Sequence, residues 1–110
     1  MSVDLGIILL QGNFTGPGVS ASVEVWGDFN LMLTGLYTAT VEVDRSMDNG
    51  VNWAVVAADG IGTPASYTHP IGILGLEIEP GVLYRLNCTS YANGQVNYRI
   101  SQSPFKPIGT

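Results

Sequence analysis

The octapeptide Ser46-Met47-Asp48-Asn49-Gly50-Val51-Asn52-Trp53, which reads S-x-D-x-G-x-x-W, constrains the fold of this chain more than any other feature. Runs that alternate apolar and polar residues flank it on both sides. Asn49-Gly50 gives the backbone its easiest route to positive φ, and Asp48 can accept hydrogen bonds from turn amides. Trp53 can cover the turn as the second strand leaves. The pattern is that of a β-hairpin, with Ser46, Asp48, Asn49, Gly50 and Trp53 as its structural residues.

A chain of 110 residues is one domain, large enough for a single packed core and too short for a propeller or a catalytic domain with a separate lid. Charged residues make up 12% of it and hydrophobic residues 45%, against about 25% charged in an ordinary soluble domain. A surface so thinly charged is poorly protected against association, so part of it is expected to be covered by a partner. The net charge is −5, and the cations are Arg45, Arg85, Arg99 and Lys106. No basic stripe is present to neutralise a phosphate backbone, which argues against nucleic acid as a partner. The acids, Asp44 and Glu77 among them, are spread along the chain as on a solvated exterior.

Period-two alternation repeats along the chain. Residues 19–25 place Val19, Ala21, Val23 and Val25 on one face, and Phe29, Leu31 and Leu33 alternate with Asn30, Met32 and Thr34. Tyr37, Ala39, Val41 and Val43 oppose Thr38, Thr40, Glu42 and Asp44. Residues 53–58 are mostly apolar and read as a strand buried on both sides or paired centrally. Residues 61–75, interrupted by Gly62, Pro64, Pro70, Gly72 and Gly75, read as a long loop with at most one short strand near Tyr67. Leu76 and Ile78 alternate with Glu77 and Glu79 before a Pro80-Gly81 corner. Residues 82–89 and 95–101 read as a pair of strands joined by a second Asn-Gly turn at Asn93-Gly94. No helical apolar stripe is present. About eight short antiparallel strands predict an all-β domain, a single β-sandwich or jelly-roll-like fold over residues 19–102. Residues 1–18 form an N-terminal arm or an edge segment, and residues 103–110 a C-terminal arm.

Chemistry-bearing residues are sparse. Cys88, the single cysteine, falls on the apolar face of a strand with Tyr84 and Leu86 and reads as a buried thiol. His69, the single histidine, precedes Pro70 with no nucleophile motif beside it. Glu77 and Glu79 share one side of a strand, where two carboxylates more often form a solvated face than a glycosidase pair. Asp44 and Asp48 lack the spacing of an EF-type calcium loop. The expectation is a protein that is not an enzyme, with no cofactor and no metal. Trp26, Trp53, Tyr67 and Tyr91 are the rings a carbohydrate-binding surface would need, two of them exposed on one face. Residues 5–10 are apolar but too short to span a bilayer and lack a basic flank or small-residue cleavage site, so synthesis in the cytoplasm without a signal peptide, and no membrane partner, are expected.

The octapeptide resembles the Asp-box hairpin of sialidase-like and phage surface proteins, with Asn52 where Thr is common. In those families the box is a folding element. The run from Glu79-Pro80-Gly81 through Tyr84-Arg85-Leu86-Asn87-Cys88 to Tyr98-Arg99-Ile100-Ser101-Gln102, with Gly27-Asp28-Phe29-Asn30-Leu31 upstream, looks like a pattern of small structural proteins of tailed bacteriophages. The resemblance covers roughly residues 26–102 and implies a capsid decoration protein, also called a cement or staple protein. Such a protein sits on the outer surface of the virion capsid, with the major capsid protein and further copies of itself, as a dimer or trimer at a symmetry axis, as partners. The residues outside the expected sandwich, apolar Ile7, Ile8, Leu9, Leu10 and Phe14 at one end and Phe105, Ile108 and the cationic Lys106 at the other, are then the expected capsid contacts. The alternative is a carbohydrate-binding or receptor-binding β-module of a phage tail or surface structure.

Overall fold

The computed structural model describes residues 7–57 and 66–102. Their strands are β1 (Ile7–Phe14), β2 (Gly18–Val19), β3 (Val23–Glu24), β4 (Gly27–Thr34), β5 (Tyr37–Ser46), β6 (Ala54–Val55), β7 (Ser66–Tyr67), β8 (Ile71–Glu77), β9 (Leu83–Gly94) and β10 (Val96–Gln102). They build two antiparallel sheets, as a β-sandwich requires. The first sheet has the order β1-β10-β4-β8; the second has the order β2-β9-β5-β6, with β3 also on β9 and β7 also on β5.

Period two decides which residues meet between the sheets. Leu31 and Leu33 of β4, Val41 and Val43 of β5, Leu86 and Cys88 of β9, and Val96 and Ile100 of β10 all lie in one core. Phe29 and Tyr84 link the sheets with ring centroids 5.1 Å apart and planes at 61°, an edge-to-face contact. Both edges of the first sheet seat an aromatic ring over a glycine. Gly12 of β1 lies across from Tyr98, and Gly75 of β8 across from Phe29. A Cβ on either glycine would run into the ring opposite it.

Several sequence expectations are corrected. Residues 82–89 and 95–101 do not pair: β9 belongs to the second sheet and β10 to the first. Asn93-Gly94 is therefore a crossing between sheets rather than a hairpin. Gly94 does have positive φ (91°), as does Gly35 (106°), which makes the crossing from β4 to β5. The two crossings pack on each other, with Gln95 N–H donating to the Leu36 carbonyl at 3.1 Å. A Cβ on either glycine would strike backbone of the other crossing, which is why both are glycine.

The alternation of residues 19–25 breaks into β2 and β3, and Val19 and Ala21 face solvent. The Ser20 hydroxyl takes the Leu86 N–H (2.9 Å), replacing a ladder carbonyl, and the chain bulges at Ala21-Ser22. Residues 53–57 do not form a central strand. β6 is a two-residue edge whose residues are exposed; Ala58 lies outside the described residues. Of residues 61–75, Tyr67 does sit in the short strand β7, but Ile71–Glu77 is a full strand, β8. Its inward residues are Ile71, Ile73, Gly75 and Glu77, so Leu76 and Ile78 point outward, reversing the expected face. Ile7–Phe14 is the edge strand β1 of the first sheet, the edge-segment alternative rather than a free arm.

Candidate interaction surface

The Asp-box turn is held by its own side chains. The Ser46 hydroxyl donates to Asp48 Oδ1 (2.8 Å) and accepts the Gly50 N–H (2.9 Å). Asp48 also accepts the Asn52 N–H at 2.8 Å and the Asn52 side-chain amide at 2.7 Å, so Asn52 supplies one backbone and one side-chain donor to the carboxylate. These bonds, those from Asn52 first, lower the Asp48 pKa. Asn49 and Gly50 both have positive φ. Strand pairing resumes at Arg45 and Ala54, so the loop is longer than a two-residue turn. Trp53 donates Nε1–H to the Gly50 carbonyl (3.0 Å), and its ring lies 4.2 Å beneath the Arg85 guanidinium. Arg85 in turn donates to Asp44 at 3.1 Å, and Asp44 is buried rather than solvated.

Glu77 is the second acid that the sequence places wrongly. It is 2% exposed. Arg45 holds it by two bonds, Nε to Oε1 at 2.6 Å and Nη2 to Oε2 at 2.7 Å, while Tyr84 O–H and the Glu79 N–H supply two more. Chiefly through the Arg45 bond, and against the effect of burial, its pKa falls to about 2. Burial and the bond to Glu77 push Tyr84 up to about 12. The carboxylate has its acceptor capacity filled and is not paired with Glu79, which lies on the surface. It is a structural anion that ties β8 to β5 and β9.

Above this cluster a groove of about 660 Å³ opens between the Asp-box loop and the end of β8, with Met47, Trp53, Val55, Leu76 and Ile78 among its walls. The same end of the first sheet carries Ile7, paired with Gln102, and Trp26, whose carbonyl accepts the Gln102 side-chain amide at 2.7 Å. Ile7, Ile8 and Trp26 are each about half exposed, at 49%, 48% and 49%. The first and last described residues, Ile7 and Gln102, are therefore neighbours at this end of the sandwich. Of the expected contact residues, Ile7 and Ile8 are on the surface and Leu9 is half-buried at a register shift, whereas Leu10 and Phe14 belong to the core. Leu10 and Phe14 are thus corrected from contacts to core residues, because the inward face of β1 needs them against Ile100 and Tyr98. Phe105, Lys106 and Ile108 lie outside the described residues.

The remaining candidates are dispersed. Cys88 is in the core, its thiol pKa raised by burial, and donates to the Ser90 carbonyl. His69 is exposed in the turn before β8. Among the described residues no three His, Cys, Asp or Glu side chains gather as metal ligands. Tyr67 packs against the core, and Tyr91 bonds Gly94 at the far end of the sandwich from Trp26. The four rings thus form no common exposed face. No family model, curated protein or solved structure matches the chain.

Proposed function

We propose that this chain is a non-enzymatic capsid decoration protein of a tailed bacteriophage, binding the outer head surface and bridging adjacent capsomers. The phage context comes from the sequence resemblance. The observation that supports the docking role is the pairing of Ile7 with Gln102 at one end of the sandwich, where Ile7, Ile8 and Trp26 are exposed. Apolar side chains gathered at one end of the sandwich form a compact anchoring surface, and the rigid sandwich behind them transmits load between the capsomers it touches. Repeated over a symmetric shell, modest contacts of this kind add up through multivalency.

Co-sedimentation with tailed-phage heads tests this. Saturable binding is expected for the full chain, with occupancy reduced at least about tenfold by deleting residues 103–110 or by Ile8→Asp, the loss of about 1.4 kcal/mol. Unchanged occupancy in both variants would remove the docking end from the proposal. Binding to a bacterial polysaccharide panel and not to heads would replace decoration by receptor recognition.

A further inference from the structure

The strand β8 closes the first sheet on the side away from β1, and among the described residues nothing pairs with its outer edge. Its sequence, Ile-Gly-Ile-Leu-Gly-Leu-Glu, has one charge, and that charge, Glu77, points inward to Arg45. Leu74 and Leu76 stand on the outer face at 87% and 64% exposure, and Ile78 follows at 78%. Natural edge strands are guarded by outward charges, prolines or bulges; this one is long and apolar, and Ile71–Glu77 itself carries none of these.

We infer that β8 is the interface between two copies of this chain, joined antiparallel about a two-fold axis at Leu74. The inference stands independently of head binding. A two-fold axis perpendicular to the sheet keeps outward residues opposite outward residues, and Leu74 is the midpoint of the seven-residue strand. Pairing all seven residues sets Leu74 against Leu74 of the second copy, Gly72 against its Leu76, Gly75 against its Ile73, and Ile71 against its Glu77. Each glycine thus faces a large side chain.

The surface is shaped for this register. Over Gly72 lies a shallow hollow walled by Met32, Leu74 and Arg99, and a Cβ on Gly72 would meet nothing within 4 Å. Leu76 of the second copy enters that hollow, and the symmetry fills both hollows at once. The cross-strand rows of the outer face then read Asn30, Leu74, Leu74, Asn30 and Met32, Gly72, Leu76, Asp28, so no like charges meet although each copy carries −5. One paired edge with two leucine knobs falls in the class below about 1,200 Å², which suits a dimer of micromolar affinity.

Sedimentation equilibrium between about 1 and 100 μM brackets that affinity range. The wild type is expected to dimerise, and Leu74→Lys to remain monomeric, with the same melting temperature as the wild type at concentrations below the dimer Kd, because Leu74 contributes nothing to the core. Leu74→Cys is the register test. Opposite Cα atoms lie about 4.5–5.5 Å apart, within disulfide reach, whereas two copies of residue 76 are separated by about 13 Å along the strands. Mild oxidation should therefore cross-link Leu74→Cys at least about tenfold faster than Leu76→Cys or the wild type with its buried Cys88. A monomeric wild type, equal cross-linking rates, or association that survives Leu74→Lys and is lost in Ile8→Lys, at the β1 edge, would each overturn the proposal.

Discussion

At the residue scale, Glu77 shows how tertiary context inverts a local reading. Between Leu76 and Ile78 it looks like the polar member of an alternating strand, yet it is the inward one, because Gly75 must sit beneath Phe29 and β8 keeps that register. Its burial is tolerated because Arg45, Tyr84 and the Glu79 amide meet the carboxylate on all sides. Glu77→Gln is expected to cost about 2–4 kcal/mol at neutral pH, read from denaturant unfolding. The sign of the pH dependence follows from a folded pKa of about 2, below the ordinary 4.5. The stabilisation is complete above about pH 5 and is lost as pH falls toward 2, where the folded carboxylate itself protonates. The difference in melting temperature between wild type and Glu77→Gln should therefore shrink across that acid window; a constant difference would mean the carboxylate charge is not what stabilises β8.

At the scale of elements, turn chemistry was legible and connectivity was not. The Asp-box residues Ser46, Asp48, Asn49, Gly50 and Trp53 all act within one loop, since the bonds involved span four residues or fewer. Asn93-Gly94 carries an equally local signal, but positive φ serves a hairpin and a crossing between sheets alike. What selects the crossing is the ladder of β5 on β9, which occupies the edge β10 would need for a hairpin and runs from Tyr37 opposite Gly94 to Ser46 opposite Leu83. Gly94→Ala combines a disfavoured φ with a clash against the Leu36 backbone and is expected to destabilise by about 2–5 kcal/mol. Gly16→Ala, where a Cβ meets nothing within 4 Å, should change stability by less than about 0.5 kcal/mol. Thermal melts of the two variants side by side check the contrast; similar losses would mean the interlocked crossings are not a rigid corner.

For the whole molecule, thin charge and exposed apolar edges belong to one design. The two edges of the first sheet lie on opposite sides, with β1 and its exposed Ile7 and Ile8 at one and the proposed self-pairing strand β8 at the other. A dimer through β8 would run eight strands from β1 to β1, about 34 Å at ordinary strand spacing, and would carry a docking end at each extremity. The proposed attachment to heads through apolar contacts predicts that head occupancy changes less than about twofold between roughly 0.05 and 0.5 M NaCl; a steep fall with salt would assign binding to ion pairs. The alternating runs of β4 and β5 and the Asp-box turn were determined by the sequence itself, because side-chain alternation and turn φ are properties of neighbouring residues. The partner of each strand, the burial of Asp44 and Glu77, the strand within 71–77 and the conversion of Leu10 and Phe14 into core were decided only by the tertiary structure. Each depends on a group far away in the chain: Arg85 for Asp44, Arg45 for Glu77, Phe29 for Gly75, Ile100 and Tyr98 for β1. Local periodicity carries no information about such distant partners.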